Sequence, residues 1–137
     1  MIPHKKHWLG FDYGTVRLGL AVSHGTLAEP LKILANNEEK WRQIAAVIGE
    51  EGITGCVVGI SEGEMEAQSR QFAAELGERV MLPVEFMDET LSSWEIGEIM
   101  KSRPLAKRRE PIDHLAAALI LQNFLDQKQA EEVWKEK

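Results

Sequence analysis

The order of the apolar runs constrains this chain more than any other feature. Residues 7–12, 16–23 and 27–35 are apolar runs separated by short turn-like gaps, which predicts a three-strand meander. The pattern then changes. Residues 38–51 place Trp41, Ile44, Ala45 and Ile48 on one helical face, and Gly52 suits a helix stop. Residues 55–60, Gly-Cys-Val-Val-Gly-Ile, are apolar without alternation, as in a strand covered on both faces. Helical spacing returns over 64–80 through Met65, Phe72, Ala73, Leu76 and Val80. Pro83 opens a further strand, Val84 to Asp88, and helices are expected over 92–101 and 111–128, with Pro111 in the first turn of the last. The order β-β-β-α-β-α-β-α-α implies an α/β fold: a mixed five-stranded sheet with helices on its faces, the two later strands parallel to the first.

The 137 residues are read as one domain, with a short helical or disordered tail from about residue 128. A chain of this length can bury a core without disulfides or structural metal. Its one cysteine, Cys56, excludes an internal disulfide and sits in an apolar run. No apolar stretch is long enough to span a bilayer, and the basic N-terminus lacks the apolar segment of a signal peptide. A cytoplasmic protein with no membrane partner is expected. The net charge of −6 argues against coating nucleic acid by charge alone, while leaving a nucleic-acid enzyme open.

Asp12 carries most of the functional information. It ends the first run, beside Tyr13-Gly14-Thr15, where a carboxylate needs a hydrogen-bonded partner, a cation or solvent. Asp88 and Glu89 follow the last strand, and Asp113 falls at the start of the last helix. Ligand sites in such sheets form beyond the carboxyl ends of the strands. Clustered carboxylates there call for a cation, and Mg²⁺ or Mn²⁺ suits oxygen ligands. Each residue also has an ordinary reading: a turn-former for Asp12, a cap for Asp88, a solvated loop for Glu89, a favourable helix-dipole position for Asp113.

Small residues suggest how the acids meet. Gly10 shares a strand face with Trp8 and Asp12; Gly19 and Ala21 share one with Arg17 and Ser23. That face should be shallow, and a last helix bearing Ala116, Ala117 and Ala118 could pack close enough to bring Asp113 towards Asp12. The stretch 101–109 holds five of the sixteen basic residues and could be a solvated loop or a contact for a phosphate backbone. His114 and the tryptophans Trp8 and Trp94 are weaker candidates for contacts with substrate. A surface histidine and buried packing explain them as well.

Gly10-Phe11-Asp12-Tyr13-Gly14 and Arg17-Leu18-Gly19-Leu20-Ala21-Val22-Ser23 resemble the opening of the YqgF/RuvX family. Ala28 and Pro30, Val57 to Ile60, Asp88-Glu89, and Ile112 to Gln122 match its later segments, so the resemblance covers roughly residues 7–126. It implies an RNase H-like fold and a hydrolase of phosphodiester bonds, assigned in that family to pre-16S rRNA processing or Holliday-junction resolution. The family's metal-binding acids map onto Asp12, Glu89 and Asp113, with Asp88 as a helper, for one or two Mg²⁺ or Mn²⁺ ions. Arg17, Lys107, Arg108 and Arg109 would hold the nucleic acid. Junction resolution needs two cuts and would favour a homodimer; a monomer suffices otherwise.

Two departures stand out. Thr90 replaces the arginine that the family usually carries after the acidic pair, and a fork of donors is lost with it. The loop after Ile60 is also shorter than the family's. The first keeps open a non-catalytic nucleic-acid-binding module. A phosphate-binding lobe of the sugar-kinase and actin type also shares Asp-x-Gly-Thr at a first hairpin, but that class needs a second lobe to enclose ATP.

Overall fold

The structure is a computed structural model and describes residues 6–60, 63–88, 98, 101–104 and 110–135. Its elements are β1 (Trp8–Tyr13), β2 (Arg17–Ser23), β3 (Ala28–Ala35), α1 (Glu39–Glu51), β4 (Gly55–Ile60), α2 (Met65–Val80), β5 (Val84–Asp88) and α3 (Asp113–Lys135). The five strands form one sheet in the order β3-β2-β1-β4-β5. The meander pairs antiparallel, and β4 and β5 add parallel to β1, as the crossover helices require. Edge strand β3 carries Pro30 and Lys32, and its register with β2 shifts at Leu20/Ala21. All three features discourage pairing with another sheet.

Period-two alternation divides the side chains between the two faces. Leu9, Phe11, Leu18, Leu20, Cys56 and Val58 pack with Ile44, Val47, Phe72 and Leu76 of α1 and α2. Each large apolar side chain buried here contributes roughly 1.5–3 kcal/mol. Phe72 is the hub, meeting the rings of Phe11, Tyr13 and Trp41 at centroid distances of 5.5, 5.1 and 5.6 Å. Burial in this core pushes the Cys56 thiol up to about 12. The other face, which bears Trp8, Ala21 and Val57, is covered by α3 through Ala117, Ile120, Leu121, Phe124 and Leu125.

The helices differ from expectation in two places. The buried residues of α1 are Ile44 and Val47, whereas Ala45 is exposed. Helix α3 begins at Asp113, not at Pro111: the carbonyl of Ile112 accepts the amides of Leu115 and Ala116 at 2.9 and 3.0 Å, which places Pro111 outside the first turn. It runs on to Lys135, so of the two forms expected for the tail from about residue 128 the helical one is found. Of the helix expected over 92–101, Glu98 and Lys101 are described, and both are helical, as is Ser102. Among the described residues no helix is long and apolar enough to cross a membrane.

Candidate active site

Asp12 is the fifth residue of β1 and is partly buried. Alternation puts it with Trp8 and Gly10 on the face that α3 covers. Its antiparallel partner is Gly19 on β2. Gly19 is the key to the local geometry. The α3 backbone lies so close that a Cβ at this position would collide with the carbonyl of Asp113, and would come within 2.8 Å of the His114 amide. Only glycine admits that approach. Gly10 serves the same purpose further back along β1, where a Cβ would lie 2.8 Å from Leu121 Cβ and 3.3 Å from the Ala117 carbonyl. The sheet is shallow where the sequence is small, and the first residue of α3 is seated over the strand neighbour of Asp12.

Asp113 occupies the first turn of a long helix, where the dipole and free amides favour a carboxylate. Its side chain is 22% exposed, and Arg17 Nε donates to its Oδ2 at 3.0 Å. Arg17 opens β2 on the same face, with its side chain 48% exposed. The hairpin between β1 and β2 is braced from outside: Asn36 Nδ2 donates to the Gly14 carbonyl at 2.8 Å, and the Asn36 amide to the Val16 carbonyl at 2.9 Å. Nothing in the sequence pattern singles out Asn36; its role depends on a contact between the end of β3 and a distant turn. Gln122 carries no such signal either. It ties α3 to the β2–β3 turn, accepting from the Ala28 amide at 2.8 Å and donating to the Thr26 carbonyl at 2.9 Å.

Gly19 thus links three charged residues: it pairs with Asp12, lies under the Asp113 backbone, and follows by two residues the Arg17 that holds the Asp113 carboxylate. Asp88 does not join them on that face. It ends β5 in an exposed position, and alternation aligns it with Val84, which packs in the α1/α2 core. Glu89, Lys107, Arg108 and Arg109 lie outside the described residues, as do Thr90 and Trp94. Among the described residues, no group of three or more His, Cys, Asp or Glu side chains could hold a metal ion. Within the basic stretch, Arg103 Nη2 donates to Oε2 of Glu110, just after it, at 3.3 Å. His114 is partly buried rather than a surface residue, and its Nδ1 finds no hydrogen-bond partner among the described residues. Trp8 is 8% exposed and stacks edge-on against Phe124, so packing is its role.

Residues 6–127 match the RuvX family, described as Holliday junction resolvase. A protein of Geobacillus thermodenitrificans (strain NG80-2) named "Putative pre-16S rRNA nuclease" is 38% identical over 134 residues, covering 88% of this chain and 97% of its own. A protein of the same name from Oenococcus oeni (strain ATCC BAA-331 / PSU-1) is 34% identical, covering 88% and 94%. Among solved structures, RuvC of T. thermophilus in complex with a Holliday junction substrate superposes with a TM-score of 0.57 at 13% identity, covering 91% of this chain and 96% of that one. That likeness fixes the fold as RNase H-like. The class of protein is therefore a nuclease of that fold, a hydrolase of phosphodiester bonds. The chain belongs to the RuvX family.

Proposed function

We propose that this chain is a metal-dependent nuclease of structured RNA, acting in the cytoplasm on the 5′ end of pre-16S rRNA, with Asp12, Glu89 and Asp113 as its metal-binding acids. The observation that carries the reading is the seating of the Asp113 backbone on Gly19, the strand partner of Asp12. Gly19 pairs with Asp12 across the sheet and carries the Asp113 backbone, so rigid elements from opposite ends of the chain share one strand residue there. The donor set fits the cation: carboxylate oxygens, with Asp12 and Asp113 partly buried, and no thiol or imidazole ligand required. For the third acid, alternation gives Met87 to the α3 face and Asp88 to the other, which counts against Asp88; Glu89 is carried by the family resemblance alone. When bound, one or two Mg²⁺ or Mn²⁺ ions supply positive charge to the attacking water and the leaving oxygen. Asp12 and Asp113 would hold such an ion beyond the carboxyl end of β1. Arg17 and the cluster Lys107, Arg108 and Arg109 hold the phosphodiester backbone.

The family's description favours a second substrate, a four-way DNA junction, which would use the same acids in a dimer. Cleavage of a structured pre-rRNA fragment and of a four-way junction with Mn²⁺, beside an Asp12→Asn variant, tests both. The wild type is expected to cut the RNA faster, and the variant to lose more than about 100-fold. Faster cutting of the junction would transfer the function to the second substrate. Equal cutting by wild type and variant would remove Asp12 from the chemistry. Tight binding without cutting under any metal would leave a binding module, and ATP turnover would point to the kinase-like reading.

A further inference from the structure

The ion pair between Arg17 and Asp113 bears on how the site is loaded, an inference that rests on the metal-site reading above. Arg17 Nε contacts Oδ2 of the carboxylate that the cation also needs. The partners differ in freedom. Asp113 is fixed by its backbone, pressed against Gly19, and its side chain is mostly covered. Arg17 has a fixed backbone too, since the hairpin before it is held by Asn36 at Gly14 and Val16. Its side chain, however, is half exposed and long, so the guanidinium can swing several ångströms about staggered torsions while the strand stays still.

A dication on Asp113 and a guanidinium on the same carboxylate oxygen are like charges at contact range, and they repel. We propose that Arg17 is the resident counter-ion of Asp113 and is exchanged for the divalent cation, so that metal loading releases its guanidinium to a phosphate of the substrate. The released group has the planar fork of donors that matches a phosphate. It stays within reach of the site because β2 anchors it. Metal and nucleic acid then assist each other, and the assistance is reciprocal. This also bears on Thr90, where the family's usual arginine is missing: a guanidinium supplied from β2 can meet the same phosphate chemistry.

The test is Mn²⁺ affinity of the full chain by calorimetry, for wild type, Arg17→Gln, Arg17→Lys, Asp12→Asn and Lys32→Gln. Arg17→Gln is expected to bind Mn²⁺ about two- to fivefold more tightly, because one competitor is gone and the pair is partly screened by solvent. Arg17→Lys should fall between it and wild type. Lys32→Gln removes one positive charge from exposed β3 without touching Asp113 and should leave the affinity unchanged. In parallel, the Arg17 Nε–Hε resonance should move along the Mg²⁺-binding curve. Equal tightening by Lys32→Gln would reduce the effect to long-range charge and overturn the exchange. Asp12-dependent Mn²⁺ binding that is unchanged in Arg17→Gln overturns the exchange alone and leaves the metal site standing. Absence of Asp12-dependent binding in every variant overturns both.

Discussion

The face covered by α3 has two ends, and both are built on a glycine. At one end Gly55 lies beside Trp8: a Cβ there would come within 2.5 Å of the indole Cζ3, so the missing side chain makes room for a ring. That ring packs edge-on against Phe124 at 4.8 Å. At the other end Gly19 makes room for a peptide group of α3, and charged side chains surround it. The same omission serves cohesion in one place and chemistry in the other. An apolar ring gains from being sealed; a carboxylate is useful only if a cation and substrate can reach it.

The contrast can be broken by substitution at either end. Trp8→Ala should cost about 3–5 kcal/mol of stability, read by denaturant melts, while cleavage per folded molecule stays near wild type. Lost cleavage at full stability would show that the two ends are not separable. Gly19→Ala should do the reverse: about 1–3 kcal/mol of stability, but a 10- to 100-fold fall in cleavage as the new methyl displaces Asp113. A Gly19→Ala protein that cuts normally would dismiss the close approach as incidental. Asn36→Ala removes one brace of the hairpin and should cost about 1 kcal/mol, with a few-fold loss of cleavage. Selective loss of stability alone would make Asn36 structural only.

The opposite face supplies a reference with neither role. Burial raises the Cys56 thiol to about 12 from an unfolded value of 9.0, favouring the neutral form in the fold. Its contribution is therefore complete below the unfolded value, and stability falls as pH rises from 9.0 towards 12. Between about pH 8 and about pH 9.5, Cys56→Ala should lose about 1 kcal/mol less than wild type. Identical slopes for the two proteins would mean that the thiol is not sealed.

Much of this arrangement is legible in the sequence because it depends on side-chain size. Gly10, Gly19 and the alanines of α3 announce a close helix-sheet contact, and the contact brings Asp113 to Asp12's strand partner. What stays hidden depends on geometry. Arg17 is separated from Asp113 by 96 positions, so its charge suggests a phosphate and not an internal partner. Asn36 looks like any turn residue until the end of β3 is laid beside the first hairpin. In α1 the true stripe passes through Val47, and Ala45 is small enough to fit either side of the helix without a penalty that a pattern could reveal. Beyond residue 128, apolar spacing fades because Glu131 and Glu132 are exposed, yet residues of good helix propensity carry α3 onward.

One consequence follows from α3 being gripped at both ends of its packed stretch, by Gly19 at Asp113 and by Trp8 at Phe124. The helix works as a ruler whose zero mark is the aromatic contact. Deleting one residue between them would turn everything upstream by about 100° and draw it in by about 1.5 Å. The ring contact could survive that change while the carboxylate was carried off the strand. Spacing along this helix, as much as the identity of the acid, therefore sets what length variants the fold can tolerate.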